Sequence, residues 1–152
     1  MKTALRSLAA VVIVMPLFSC PGSRPTNLGV KDLRLAPCPS TPNCVSSDAH
    51  DPSHLVAAFP LVVPATDAWR AARSTVSGLP RTKIIMETDD YLHAECSSAF
   101  FGFVDDIELH LRSAQGVIAV RSAARLGHSD LGVNRKRVEK LRSLLTQQGV
   151  IR

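Results

Sequence analysis

The chain has 152 residues, a formal charge of +5 at neutral pH and an isoelectric point near 9.4. Lys2 and Arg6 supply two of those charges, so the 133 residues from Cys20 onward carry +3, which calls for no nucleic-acid partner. That length fits one domain and not two.

In chain order, the first element is a basic start followed by eleven apolar residues, Leu8 to Phe18. A membrane-crossing helix needs roughly twenty. The pattern is that of a secretory signal over residues 1–19. It ends in Leu17-Phe18-Ser19-Cys20, which resembles a lipobox whose cysteine becomes the lipidated first residue of the mature protein. Phe18 is larger than is usual there, and the plainer alternative is a cleaved signal with an incidental cysteine. One acyl chain holds a protein marginally and a second holds it stably. The expectation is therefore an exported lipoprotein, anchored by palmitate-type chains on Cys20. Pro21 rather than Asp after the cysteine favours the outer membrane, facing the periplasm, in a Gram-negative host.

Residues 20–53 are rich in Pro, Ser, Asn and Asp and read as a tether leading into an ordered loop region. Within it, Cys38 and Cys44 bound a short proline-rich loop. In an exported protein a disulfide is the default for such a pair, with free thiols as the alternative. Cys96 is then left over, a small buried apolar residue.

Residues 54–152 carry the periodic segments of a single domain. Thr66 is placed to cap a helix with Trp69, Ala72 and Val76 at helical spacing, stopped by Gly78 and Pro80. Thr82–Thr88 reads as a strand, and Tyr91–Ser98 as a second, with Leu92, Ala94 and Cys96 on one face. In Phe101–Arg112, Phe101, Phe103, Ile107, Leu109 and Leu111 point inward by alternation, while Asp106, Glu108, His110 and Arg112 point outward. Val117–Ala123 is a further strand. A last helix from Leu131 carries Asn134, Val138, Leu141 and Leu145 on one stripe, with Asp130 as its cap. The fold class is α+β: an antiparallel meander of about four strands, with helices packed on one face and a C-terminal helix.

Several residues stand out chemically. Asp105 falls on the apolar face between Phe103 and Ile107, where a carboxylate is costly unless paired. Arg121 and Arg125 are its nearest partners in sequence. It is either a structural ion pair, a residue swung out by a bulge, or a pocket carboxylate with a shifted pKa. His93, Glu95, Asp106, Glu108 and His110 share the other face and form a weak metal-ligand set that a solvated sheet face would equally produce. No metal and no cofactor is expected. The run Arg135-Lys136-Arg137 with Lys140 and Arg142 reads as the solvated side of a helix. Ser122 or Ser129 with His128 and Asp130 suggests a hydrolase only weakly, since neither serine sits in a nucleophile elbow. The two glycines and the helix start around Asp130 suit an anionic or polar ligand better.

The segments Pro37-Cys38-Pro39, Pro42 to Ser47, Tyr91 to Glu95, Phe101 to Glu108 and Arg121 to Arg137 together resemble the family catalogued as domain of unknown function 1499, over about residues 35–144. The resemblance implies no activity, substrate or cofactor, though members often look exported or membrane-associated. Its motif positions here are Asp105, Asp106, Arg121, Ser122, Arg125, Asp130, Asn134 and Arg135. Cys96 departs from the pattern, where a larger residue is usual. The functional expectation is a non-catalytic envelope domain, tied to a membrane by its N-terminal lipid, that binds a small polar or anionic ligand or an envelope protein. Asp105, Arg121, Ser122, Arg125, Asp130, Asn134 and Arg135 are the candidate ligand residues. The alternatives are a hydrolytic or metal-assisted enzyme using His93, Glu95, Asp105 or His128, and a purely structural lipoprotein.

Overall fold

Alternating sequences from Thr82 to Ala124 need a two-sided surface, and four strands supply it. In the computed structural model, which describes residues 22–99 and 101–152, these strands form an antiparallel meander. Ahead of them lie β1 (Val30–Lys31), β2 (Arg34–Leu35), β3 (Cys44–Ser46) and β4 (Phe59–Pro60). The meander is β5 (Thr82–Glu87), β6 (Tyr91–Ser97), β7 (Val104–Arg112) and β8 (Val117–Ala124), with α1 (Ala65–Ser77) before it and α2 (Val133–Gln147) after it. The expected signal, and the lipidation of Cys20, lie outside the described residues.

The central sheet runs β3-β8-β7-β6-β5, and all its pairings are antiparallel. Two short strands share the outer edge of β8. β3 covers Arg121–Ala123 and β4 covers Val117–Ile118, and Pro60 sits in β4 because an edge strand tolerates a missing N–H. β5 closes the opposite edge with a register shift between Ile84 and Met86, a device that discourages further strand pairing. β1 and β2 make a separate small hairpin.

Both helices pack on one face. α1 buries Ala68, Trp69, Ala72 and Val76, and α2 buries Val138, Leu141 and Leu145. They meet Leu92 and Ala94 of β6, Ile107 and Leu109 of β7, and Ile118 and Val120 of β8 in one core. The indole N–H of Trp69 donates to the Thr88 carbonyl at 3.3 Å, so the ring's one polar atom is satisfied.

Four expectations change. α1 begins at Ala65 after Pro64, so Thr66 lies inside the first turn instead of capping it. α2 begins at Val133, later than Leu131, but Asp130 still serves its first turn by accepting the Asn134 N–H at 2.7 Å. Phe101 and Phe103 are not buried. β7 starts only at Val104, so both rings lie before the helix-covered strand, exposed and stacked on each other, with Gly102 at φ +63° between them.

The fourth change concerns the polar face of the sheet, which is not solvated. His93, Asp106, Glu108, His110 and Arg121 are all buried. Residues 22–36 cover them. The Gly29 N–H donates to Glu108 Oε1 at 2.8 Å, Arg24 bonds Glu95, and Leu35 packs with Tyr91 and Ala119 in a second, small apolar cluster. Part of the segment read as a tether is thus a third layer of the fold.

Cys38 and Cys44 are joined in a disulfide, and Cys96 is a buried free cysteine. The bridge fixes the loop that leads into β3. A loop this short implies that replacing both cysteines by serine lowers unfolding free energy by about 2 kcal/mol. Urea denaturation of the double variant checks this, and reductant should lower the wild-type midpoint and leave the variant's unchanged.

Candidate functional site

The two faces of the sheet carry two polar clusters, and their chemistry differs. On the arm side, alternation places Tyr91, His93 and Glu95 of β6 beside Asp106, Glu108 and His110 of β7, with Arg121 of β8 next in register. Arg125, just beyond β8, reaches back over the end of the sheet. Its Nε donates to Asp106 Oδ2 at 2.8 Å and its Nη2 to Asp106 Oδ1 at 2.7 Å and Glu95 Oε1 at 2.5 Å. His93 Nε2 lies 2.7 Å from Asp106 Oδ1, and Arg24 donates twice to Glu95, at 2.9 and 2.6 Å. One step along the sheet, Glu108 accepts from the Tyr91 hydroxyl at 2.8 Å and from Arg121 Nη1 at 2.9 Å. Beyond it, Arg112 makes two bonds to Asp48.

This cluster is electrostatically saturated. Burial alone would push Asp106 up, but its bonds to Arg125 and His93 outweigh burial and hold it below the ordinary carboxylate value. Glu95 follows the same pattern, with Arg125 and Arg24 as the counterweights. Arg125 is held protonated, chiefly by its bond to Asp106. The Tyr91 hydroxyl is driven well above its ordinary pKa by burial and by Glu108 beside it. Every carboxylate in the expected metal-ligand set is taken up by an arginine, and no group of three or more ligating side chains suited to a metal occurs among the described residues. The cluster binds the arm and the sheet together.

The helix-side cluster is different. Asp105 is inward-facing as expected, but its partner is neither Arg121 nor Arg125. Those two side chains belong to the opposite face, as the pairing of Arg121 with Glu108 requires. Asp105 Oδ2 instead accepts from Arg137 Nη2 at 2.6 Å, across from the first turns of α2. Arg137 Nη1 also donates to Ser122 Oγ at 3.0 Å and Asn134 Oδ1 at 2.5 Å, and Ser122 Oγ donates to Asn134 Oδ1 at 2.6 Å. Asn134 Nδ2 donates to the Asn43 carbonyl and to Asp130 Oδ2, tying α2 to the loop that the disulfide closes. Of the candidate ligand residues, Asp105, Ser122, Asp130 and Asn134 are therefore brought together. Arg121 and Arg125 are not, and Arg135 turns away to the carbonyls of Leu55 and Ser53. Arg137 is the member that the sequence hides, since it stands in a basic run, Arg135-Lys136-Arg137, that looks like the solvated side of a helix. Its i, i+3 spacing from Asn134 was the available signal.

Beside this cluster lies a cleft of about 370 Å³ between the β5–β6 edge and the start of α2. Asp105, Arg137 and the Cys96 thiol form its floor, Arg81 and Lys140 stand at its mouth, and Leu79, Pro80 and Val133 supply apolar wall. Asp105 is raised by burial, an effect that the attraction of Arg137 does not cancel. Burial likewise raises the Cys96 thiol, which accepts a bond from Thr82 Oγ1 at 3.3 Å and stays protonated at neutral pH. Ser122 is fully buried, with no histidine bonded to it, and His128 and Ser129 lie exposed on the loop. That arrangement gives neither a thiolate nor an activated serine. A second cleft of about 430 Å³ lies between the β1–β2 hairpin and Asp48–His50, but there Asp48 is already committed to Arg112 and the Leu35 N–H.

The family model described as "Protein of unknown function (DUF1499)" matches residues 34–145. No curated protein and no solved structure matches the chain. The matched span contains both polar clusters but starts after Arg24 and Gly29, two anchors of the arm.

Removing one member of the saturated cluster leaves its partner buried and uncompensated. Asp106→Asn should cost about 3–5 kcal/mol at neutral pH. The pH sign follows from the lowered carboxylates. The unfolded chain binds protons more tightly, so the stability from Asp106 and Glu95 is full above their ordinary values, near 4, and is lost as pH falls through the lower folded ones. Urea midpoints measured from pH 7 down to 3 should fall steeply for the wild type and less steeply for Asp106→Asn.

Proposed function

The chain belongs to the DUF1499 family, and we propose that it is a lipid-anchored, non-catalytic envelope protein that binds a small anionic ligand in the Asp105–Arg137 cleft. The observation that carries the ligand class is the composition of that cleft. Three cations, Arg81, Arg137 and Lys140, surround a single carboxylate whose charge Arg137 already balances. Two positive charges are left over beside an apolar wall, which suits a small molecule with one or two anionic groups and a hydrocarbon portion. The absence of an activated nucleophile favours binding over turnover: the Cys96 thiol is raised and Ser122 has no base.

Anchoring rests on the sequence of the first twenty residues, with its basic start, short apolar stretch and Cys20. The Cys38–Cys44 disulfide supports an oxidising compartment. No helix among the described residues is long and apolar enough to cross a membrane, so under this reading the acyl chains do the holding.

Native mass spectrometry of the mature protein, gently extracted from its own envelope, tests both halves. The expected spectrum shows a lipidated chain carrying an additional small anionic mass. Lys140 makes no hydrogen bond or ion pair among the described residues, so Lys140→Ala should abolish the extra mass while leaving the unfolding midpoint in place. A bare lipidated monomer would overturn the ligand and leave a purely structural lipoprotein. An unlipidated chain would overturn the anchor.

A further inference from the structure

Half of the large exposed apolar side chains gather at one end of the domain. Of ten such residues among those described, five are Phe101, Phe103, Leu126, Leu131 and Val133. Phe101 is 67% exposed, Phe103 47% and Leu131 86%. The two phenylalanine rings stack with centroids 5.7 Å apart, and Phe103, Leu126 and Val133 line one shallow depression. Leu131 is held at φ +54°, a conformation that a leucine adopts at a cost and that carries its side chain outward into solvent. Soluble surfaces scatter such residues singly, and a gathered patch marks something that covers it.

The position of the N-terminus says what covers it. Gly22, at φ +68°, lies so close to the end of β8 that a Cβ there would meet the Cβ of Arg125 and Cγ of Leu126 at 3.0 Å. Two residues later Arg24 is fastened to Glu95. The chain is therefore pinned beside Leu126 from its first described residue. Cys20 precedes Gly22 by two residues, a reach of roughly 7 Å at full extension. An acyl anchor on Cys20 has no long tether to hang from. It draws the Leu126 end of the domain down to the bilayer.

We infer that this apolar end is a membrane-docking face, which inserts Phe101, Phe103 and Leu131 into the interfacial region of the bilayer that holds the Cys20 lipid. The inference rests on the anchoring proposed above. Aromatic and aliphatic tips at headgroup depth are the usual form of such contacts. The exposed ammonium groups of Lys136 and Lys140, on the turns of α2 that follow Val133, flank the patch and suit anionic headgroups. The acids nearest the patch do not oppose them: Asp105 is paired with Arg137, and Asp130 is bonded to the Gly132 and Asn134 N–H groups. The Asp105–Arg137 cleft consequently opens next to the lipid surface, since Val133 lines both it and the patch.

The test uses the full lipidated protein in vesicles of phosphatidylethanolamine and phosphatidylglycerol. Ser129→Cys places an environment-sensitive fluorophore beside the patch. Gln115→Cys places one at the far end of the β7–β8 hairpin, roughly 25 Å away. Cys96 is buried and does not compete for label. Quenching by lipid-borne quenchers should be about threefold stronger at position 129 than at 115, and should fall to the level of 115 when Phe101→Ser and Leu131→Ser are added. These side chains are exposed, so Trp69 emission should show an unchanged fold. Equal quenching at the two ends of a lipidated protein would overturn the docking face while leaving the anchor standing. A signal at 129 that survives the serine substitutions would also overturn it, and would point to a protein neighbour or to tethering alone. Intact mass that lacks the Cys20 lipid would remove the anchor and the docking together.

Discussion

The grip of Arg125 on Asp106 and Glu95 is the interaction on which the rest of the structure depends. Three antiparallel strands carry seven polar or ionisable side chains on one face, and a face of that kind cannot be covered by protein unless each carboxylate finds a cation. Arg125 supplies that for two of them and Arg121 for a third, so the sheet can be buried on both sides. Arg125 shares one positive charge between Asp106 and Glu95, so Glu95 also accepts Arg24, and the arm is locked in place. A Met or Leu cluster could hold a sheet to an arm with equal or greater stability. The ionic version instead fixes where the arm lies, because Glu95 and Glu108 accept only groups that arrive with the right geometry.

That lock links the fold to the proposed role. The arm runs from Gly22 at the Arg125 end toward Leu35 at the Tyr91 end, so residues 22–24 are held at one corner of the domain. At that corner lie the exposed phenylalanines, the start of α2 and the Asp105–Arg137 cleft. On the opposite face of the sheet, Asn134 ties α2 to Asn43 and so to the disulfide loop. Both polar clusters therefore meet at the same end of β7, one holding the arm and one lining the cleft.

Much of the architecture was readable from the residues alone. Alternation from Thr82 to Ala123 predicted the four meander strands, the inward Asp105 and the two-faced sheet, and helical spacing predicted the buried stripe of α2. Alternation reports that a strand has two faces, however, and not which of them is wet. The cover over His93, Asp106 and Glu108 comes from a segment some 79 positions upstream of Glu108, and no local pattern carries that information. The alternation places Phe103 on the Asp105 side correctly, but β7 starts only at Val104, so Phe101 and Phe103 lie past the end of the helix-covered strand and stay exposed. The partner of Asp105 was sought on the next strand, whereas register puts Arg121 on the wrong side and the needed guanidinium arrives from α2. Family resemblance marked Arg125, Asp106 and Asn134 as important positions, and only the geometry separated the saturated cluster from the open cleft.

The arm is an integral layer of the domain, held by buried carboxylates. Hydrogen exchange at the Gly29 amide, which donates to Glu108 Oε1, tests it most directly. At neutral pH that amide should exchange as slowly as the amides of β7, and Glu95→Gln, which loosens Arg24, should speed it without affecting Leu109. Exchange of Gly29 at the rate of an unstructured peptide, with β7 fully protected, would contradict the account and return the arm to the status of a tether.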